Sequence, residues 1–284
     1  MDRQPPHVPG LIDSHCHLDY APMSADLAAT FARAKAAGVE QLLHIGCSPD
    51  SMVRAVELAK AHAGVFASVG VHPHDAKRLD DATLATIEQL ARANPAVVKA
   101  IGETGLDYHY DFSPRAEQLI AFGRQLDLAR ALELPVVLHI RDAHDDAWMV
   151  LAEHPARAID PGVVHCFTGT PAEAERWVSL GFHVSFSGIA TFKKAGDLRV
   201  AAKLVPADRI LLETDAPYLS PEPLRGRKNE PANVAFTCVC LADVRGEAPD
   251  VLARTAAANT RALFKLPAPG PGSVLETALS AAGG

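Results

Sequence analysis

Short apolar runs recur along this chain, and a histidine, glutamate or aspartate stands at or just past the end of most of them. Near-continuous apolar runs suit strands buried on both faces of a parallel sheet, and segments with helical spacing separate them. The runs are Leu11 to Asp13, Val39 to Gly46, Val65 to Val71, Val97 to Ile101, Pro135 to Leu138, Gly162 to Val164, Phe182 to Phe186 and Arg209 to Leu212. This pattern predicts an α/β fold, a single-domain TIM-type (β/α)8 barrel.

The predicted barrel accounts for most of the chain. With 284 residues the chain is long enough for one such barrel, which typically takes about 250 residues. No second domain is predicted. We expect an N-terminal extension at residues 1–10, the barrel at 11–266, and a Pro/Gly-rich C-terminal tail at 267–284.

Composition narrows the class of protein. The formal charge of -7 and the isoelectric point near 6.0 argue against a broad basic surface that binds nucleic acid. A polyanionic substrate would have to be bound by a local group of basic residues. No apolar stretch reaches the ~18 residues of a membrane span, and the first residues lack a hydrophobic signal segment. The five cysteines contain no CxxC pair. We therefore expect a cytoplasmic protein with no disulfide framework and no membrane partner.

In such a barrel the carboxyl ends of the strands meet at one face, where active sites are built. The first strand is followed by the HxH pair His15-Cys16-His17. On extended chain such a pair directs both imidazoles to the same side, although the motif alone is a weak signal. A single histidine at a strand end is more often a hydrogen-bonded core residue, but matching positions at several strand ends reverse that balance. One metal centre is therefore predicted from His15, His17, Glu103, His139, His165 and Asp215.

Two carboxylates of this set carry the predicted catalytic roles. Asp215 would be both a metal ligand and the acceptor of the proton released when a bound water attacks. Glu103 stands between glycines that let the backbone and a metal approach closely, and its two oxygens can bridge two cations. For Glu103 the alternative is a rim carboxylate paired with a surface base. Glu213 is predicted to hold a ligand in place from a buried position, with a plain salt bridge as the alternative.

Substrate contacts are predicted at the same face. His72 and His74 follow the third run and are expected to contact substrate or donate a hydrogen bond. Six basic residues come shortly after strands five, seven and eight, where they would clamp an anion. A basic loop residue is usually only solvated, but six on one rim of an acidic protein favour a phosphate. They are Arg141, Lys193, Lys194, Arg225, Arg227 and Lys228.

Six motifs follow one another between about residues 11 and 264. They are Asp13-Ser14-His15-Cys16-His17-Leu18-Asp19, Gly70-Val71-His72-Pro73-His74, Gly102-Glu103-Thr104-Gly105-Leu106-Asp107-Tyr108, His165-Cys166-Phe167-Thr168-Gly169, Glu213-Thr214-Asp215 and Asn229-Glu230-Pro231-Ala232-Asn233. In this order they closely resemble the TatD family of metal-dependent deoxyribonucleases, within the amidohydrolase superfamily.

The resemblance implies a site for two divalent metal ions. Mg²⁺ is the activator that the family suggests, and the histidine-rich donor set would also accept Zn²⁺ or Mn²⁺. In the implied arrangement one ion is held by His15, His17 and Asp215. The other is held by His139 and His165, and Glu103 bridges the two.

The residues and the resemblance together predict hydrolysis of phosphodiester bonds in DNA. Action on single-stranded DNA or on 3′ ends, in the 3′-to-5′ direction, is implied by the family, and a monomer or weak oligomer is expected. Two alternatives stay open. The same metals can hydrolyse a carboxylic ester or amide, for example as an aminoacyl-tRNA deacylase, because a fold does not determine a substrate. In the other, the chain is a non-catalytic nucleic-acid-binding protein that keeps a metal for stability, although a structural site needs no general base.

Overall fold

The computed structural model describes residues 4–154 and 161–270. Within these ranges eight parallel strands form one sheet in chain order, which confirms the predicted (β/α)8 barrel. The chain after the last strand pairs with the first strand and closes the sheet. There the Asp215 N–H donates to the His15 carbonyl at 2.9 Å, and the His17 N–H donates to the Ala216 carbonyl at 2.8 Å. The strands are β1 (Leu11–Cys16), β2 (Val39–Gly46), β3 (Val65–Val69), β4 (Val98–Asp107), β5 (Val136–Arg141), β6 (Gly162–Val164), β7 (His183–Phe186) and β8 (Ile210–Leu212).

Helices separate the strands and cover the outside of the barrel. Two further helices follow the last strand, and the second of these packs against β8 and β1. In the described ranges no helix is long and apolar enough to cross a lipid bilayer. The helices are α1 (Leu27–Ala37), α2 (Ser51–Ala61), α3 (Asp81–Ala93), α4 (Arg115–Leu132), α5 (His144–Glu153), α6 (Pro171–Ser179), α7 (Gly196–Leu204), α8 (Val234–Arg245) and α9 (Pro249–Phe264).

Two strands extend further than their apolar runs. β4 continues from Ile101 to Asp107 and β5 continues from Leu138 to Arg141. The polar residues at these ends still pair with the neighbouring strand, so Glu103 and His139 lie within strands. A strand predicted from hydrophobicity alone ends where its side chains stop facing the core and begin to face the barrel mouth. The backbone pairing continues beyond that point.

The N-terminal extension packs against the end of α1. Gly38 ends that helix with φ +94°, and a Cβ atom there would lie only 2.0 Å from the Val8 carbonyl oxygen. The Val8 N–H in turn donates to the Ala37 carbonyl at 2.9 Å. At the other end of the chain, Gln41 Nε2 donates to the Pro267 carbonyl at 2.9 Å. The rest of the predicted tail, residues 271–284, lies outside the described residues.

Apolar side chains from separate strands meet inside the barrel, and the end of α9 joins them. Arg261 of α9 donates from Nε to Gln41 Oε1 at 2.9 Å, near the start of β2. The helix therefore closes the barrel at the amino ends of the strands, opposite the predicted site. The apolar group includes Leu43, Ile45, Ala100, Val137, Val163 and Leu211 from the strands, with Leu263, Phe264 and Leu266 from α9 and its end.

The Phe264→Ala substitution tests this closure. Phe264 is 1% exposed, and loss of a buried ring removes its transfer free energy and leaves a cavity. We expect the free energy of unfolding to fall by about 3–5 kcal/mol in urea denaturation. Val200→Ala, at a position that is 49% exposed, is the control and should change it by less than about 0.5 kcal/mol. Equal stability of the two variants would show that the ring does not close the barrel.

Candidate metal centre

The carboxylate of Glu103 lies at the centre of a pocket at the carboxyl ends of the strands. The pocket has a volume of about 280 Å³. Oε1 of Glu103 lies 2.7 Å from His165 Nε2, 3.0 Å from His139 Nδ1 and 3.3 Å from His72 Nε2. Oε2 lies 3.4 Å from His15 Nε2. Imidazoles from four separate β/α units thus converge on one buried carboxylate.

The backbone of β4 directs this side chain into the pocket. Gly102 pairs with Val137 and Thr104 pairs with Leu138, so Glu103 is one extra residue in the strand. Such a bulge interrupts the alternation of the strand and redirects a side chain. Gly102 has φ +143°, and a Cβ atom there would lie 2.6 Å from the Val137 carbonyl oxygen. This glycine therefore lets β4 approach β5.

A second irregularity, in β1, places the histidine pair. The register of β1 against β2 shifts between Asp13 and Cys16. His15 Nε2 and His17 Nε2 lie 3.7 Å and 3.5 Å from Asp215 Oδ1. Asp215 itself has φ +56°, in the left-handed region that costs free energy for a residue with a side chain. Its N–H bond to the His15 carbonyl holds it there, so the closure of the barrel also builds this part of the site.

Asp107, at the end of β4, is the site residue that sequence reasoning missed. It is fully buried, and its Oδ2 accepts hydrogen bonds from His139 Nε2 at 3.0 Å and from His74 Nε2 at 2.9 Å. Its Oδ1 accepts from the backbone N–H groups of His109 and Tyr110. Donation from Nε2 makes Nδ1 the lone-pair nitrogen of a neutral His139, and that nitrogen faces the pocket. The motif Gly-Leu-Asp-Tyr contains Asp107, but no local pattern distinguishes it from a strand-end turn residue.

Glu213 lies behind His165, where the sequence predicts a supporting carboxylate. Its Oε1 is 3.3 Å from His165 Nδ1 and accepts from the Cys166 N–H at 2.7 Å. The next residue, Thr214, joins β8 to β1, because its N–H donates to Asp13 Oδ1 at 2.9 Å. Burial raises the pKa of Asp13 to about 8. The floor of the pocket is therefore itself a network of polar groups.

Charges inside the pocket compensate one another. Burial raises the pKa of Glu103, but the neighbouring imidazoles, His165 first, bring it well below its ordinary value. Burial lowers the pKa of His165, but Glu103 and Glu213 raise it well above its ordinary value. The pKa of His139 is also raised, because its hydrogen bonds to Asp107 and Glu103 outweigh burial. Burial prevails at His15 and His72, whose pKa values are lowered. The carboxylates therefore favour the protonated form of His139 and His165, and cations would take over that balance.

The donor set fits divalent cations. Both ring nitrogens of His15 and Nδ1 of His17 are buried without a hydrogen-bond partner among the described residues. Buried polar atoms rarely stay unpaired, so Nε2 of His15, which faces Glu103 and Asp215, suits a ligand role. His72, which the sequence assigned to substrate, lies among the donors. In the described ranges, three sets have donor atoms within 4.8 Å of one another: His15, His165 and Asp215; His15, His17 and Glu103; and His72, Glu103 and His139.

The six basic residues predicted to meet an anion lie around the rim, and the pocket lining in the described chain includes none of them. Arg141 holds its guanidinium 5.0 Å from the centre of the Tyr110 ring. Lys194 lines a neighbouring groove, and Lys193 beside it in sequence is exposed. The remaining three line a shallow hollow on the β8 side: Arg225, Arg227 and Lys228.

Comparison with known proteins agrees with this geometry. The sequence profile described as TatD related DNase matches residues 12–265. The chain belongs to this family. The 3′-5′ ssDNA/RNA exonuclease TatD of Erwinia billingiae (strain Eb661) is 44% identical over 243 residues, which are 83% of this chain and 92% of that protein. The uncharacterized metal-dependent hydrolase YabD of Bacillus subtilis (strain 168) is 38% identical over 256 residues, or 90% of this chain and 99% of that protein.

A solved TatD structure shows the same fold. The crystal structure of YjjV, a TatD homolog from Escherichia coli K12, superposes with a TM-score of 0.85 at 35% identity and covers 90% of this chain and 98% of that one. The predicted family, the barrel and the metal-dependent hydrolase class are thereby confirmed.

The Asp107→Asn substitution tests how the site is oriented. The amide has no charge and a single acceptor oxygen, so its NH2 group must face either the two imidazoles or the backbone N–H groups of His109 and Tyr110, and the site loses acceptors in either case. We expect the affinity for Mn²⁺, measured by isothermal titration calorimetry, to fall about 10- to 100-fold. Asp142→Asn, at a nearby carboxylate whose side chain is 67% exposed, should leave the affinity unchanged. Wild-type affinity in Asp107→Asn would contradict the assigned role.

Proposed function

We propose that this TatD-family hydrolase is a nuclease that cleaves phosphodiester bonds of DNA with two divalent cations. The observation that supports this most is the convergence of four imidazoles on Glu103, with Asp215 at the wall of the same pocket. A donor set that opens to a cavity suits metal-assisted hydrolysis better than a closed structural site. The name of the relative at 44% identity favours single strands and free 3′ ends as the substrate.

Six residues are the proposed metal ligands, in the arrangement that the family resemblance implies. Mg²⁺ is the proposed activator, and the imidazole nitrogens would also take Zn²⁺ or Mn²⁺. His72 is a further donor, since its Nε2 lies 3.3 Å from Glu103 Oε1. The proposed ligands are His15, His17 and Asp215 for one ion, His139 and His165 for the other, and Glu103 between them.

Asp215 is the proposed general base. Divalent cations in this pocket would supply Lewis acidity toward the phosphoryl oxygen and the attacking water. Burial raises the pKa of Asp215, but the hydrogen bond from His17 and the nearby imidazole charges lower it below its ordinary value. The carboxylate is therefore ionised at neutral pH and able to accept a proton. Its side chain is 13% exposed and lines the cavity, so water can reach it.

The rim supplies the proposed substrate contacts. His74 lies at the pocket wall with its side chain 28% exposed, and its bond to Asp107 holds the ring in place. Arg141, Lys193 and Arg227 are proposed to meet phosphates outside the pocket. Such contacts position a backbone without reading its sequence.

Loss of the general base or of a ligand should abolish cleavage. We expect Asp215→Asn and His165→Ala each to lower kcat/KM on a 5′-labelled single-stranded oligonucleotide by at least about 100-fold, with an unchanged far-ultraviolet circular dichroism spectrum. Chelator should inactivate the wild type, and divalent metal should restore it. Asp208→Asn, at a side chain that is 74% exposed, is the control and should keep wild-type activity. Full activity in either site variant would refute the assignment, and activity on charged tRNA alone would favour the deacylase alternative.

Metal affinity should depend on pH with a definite sign. The pKa values of His139 and His165 are raised, so both rings retain protons above the ordinary pKa of 6.5, and a cation has to displace them. Mn²⁺ binding should therefore tighten as the pH rises from about 6 to about 8 and should release protons. Calorimetry in two buffers of different ionisation enthalpy measures that release. Binding that weakens over this range would show that the two rings are not ligands.

A further inference from the structure

Exposed aromatic rings are confined to one part of the surface. In the described ranges, the large aromatic side chains that are more than a third exposed all lie around the metal pocket, and a cluster of this kind marks a binding surface. They form two pairs on different sides of the mouth. One pair is Tyr20 and Tyr218, at 41% and 49% exposed, and the other is Tyr110 and Phe112, at 49% and 60% exposed.

The Tyr20–Tyr218 pair forms a wall of the pocket itself. Tyr20 follows β1 and Tyr218 follows β8, and both line the cavity together with His17. Their ring centres are 6.3 Å apart at an interplanar angle of 61°, and each ring also meets His17 edge-on. Neither tyrosine is stacked face to face on another ring of the described chain. A planar ligand next to the metals would therefore find an aromatic face available.

Positive charge lies next to this pair. Asn229 Nδ2 donates to the Tyr218 carbonyl at 2.7 Å, and Ser220 Oγ donates to the Arg227 carbonyl at 2.8 Å. These bonds fold the loop back on itself, so that its basic segment, residues 225–228, lies beside Tyr218. The three basic side chains of that segment are exposed. An anionic backbone that leaves the pocket past Tyr218 would meet them.

The other aromatic pair leaves less ring surface available to a base. Tyr110 and Phe112 are stacked on each other at 5.4 Å and 26°, and the Arg141 guanidinium covers Tyr110. A separate groove, which neither of these rings lines, carries five carboxylates against two basic side chains. These groups are Asp142, Asp145, Asp146, Glu173 and Asp197, with Arg115 and Lys194.

We propose that Tyr20 and Tyr218 form a base-stacking wall for a single-stranded nucleic acid, and that residues 225–228 hold the phosphates that follow. This inference rests on the proposed nuclease function and deepens it. Aromatic rings stack on any unpaired base, while the bases of a duplex keep their faces covered. The two tyrosines would therefore make binding depend on unpaired bases but not on sequence. Because the basic segment lies beside Tyr218, the strand would enter from the β8 side.

Oligonucleotide binding separates stacking from other roles. In an Asp215→Asn background, where turnover is suppressed, fluorescence anisotropy with Mn²⁺ gives the Kd for an oligothymidylate and for an abasic oligomer of equal length. The background protein should prefer the oligothymidylate. Adding Tyr218→Ala or Tyr20→Ala should weaken oligothymidylate binding by about 5- to 150-fold and largely remove that preference. Tyr218→Phe keeps the ring and should retain the preference for the oligothymidylate. Phe112→Ala, which removes an exposed ring of the other pair, is the matched control.

A charge variant tests the path of the backbone. Lys228→Ala should weaken binding of both oligomers equally and reduce the salt dependence of log Kd by a slope of about 0.7. Equal Kd values in the tyrosine variants and the background protein, or a loss in Tyr218→Phe as large as in Tyr218→Ala, would overturn the proposal. A larger loss in Phe112→Ala would do the same. Cleavage by the wild type is measured separately: if it fails while the stacking differences hold, the nuclease function is wrong and the binding wall stands.

Discussion

One buried carboxylate organises this molecule. Glu103 is 3% exposed. A buried charge is stable only when groups of opposite charge or hydrogen-bond donors compensate for the lost water. Imidazoles of separate β/α units supply that pairing, so the same contacts that stabilise the anion also gather the candidate metal donors. Each imidazole depends on the carboxylate in turn, since burial alone would lower its pKa. The positions of the carboxylate and of the imidazoles therefore depend on one another.

Part of the irregular backbone lies at the face of the barrel that holds this centre. The bulges in β1 and β4 and the left-handed conformation of Asp215 all lie near the carboxyl ends of the strands. The opposite end is filled by aliphatic side chains and closed by α9. Strained or irregular conformations persist only where the surroundings over-determine them, and the apolar packing of the opposite end provides that support. The barrel thus separates the part that provides stability from the part that provides chemistry.

Carboxylates behind the pocket determine which nitrogen of each ring faces it. Asp107 holds His139 through Nε2, whereas Glu213 lies beside Nδ1 of His165. The two imidazoles accordingly present opposite nitrogens to Glu103. Beyond the pocket, the rim is divided into an acidic groove and a basic hollow. A protein with a net charge of -7 thereby presents a local concentration of positive charge on the β8 side of the mouth.

The sequence by itself determined the barrel, its family and several of the side chains that meet at the mouth. Apolar periodicity marks buried strands, and parallel strands bring their carboxyl ends together whatever the loops do, so His15, Glu103 and Asp215 could be placed without coordinates. Only the tertiary structure decided that His72 joins the donors, that Asp107 orients two rings, and that the basic residues spread around the rim. Those facts depend on bulges and loop paths, which arise from contacts between segments far apart in the chain.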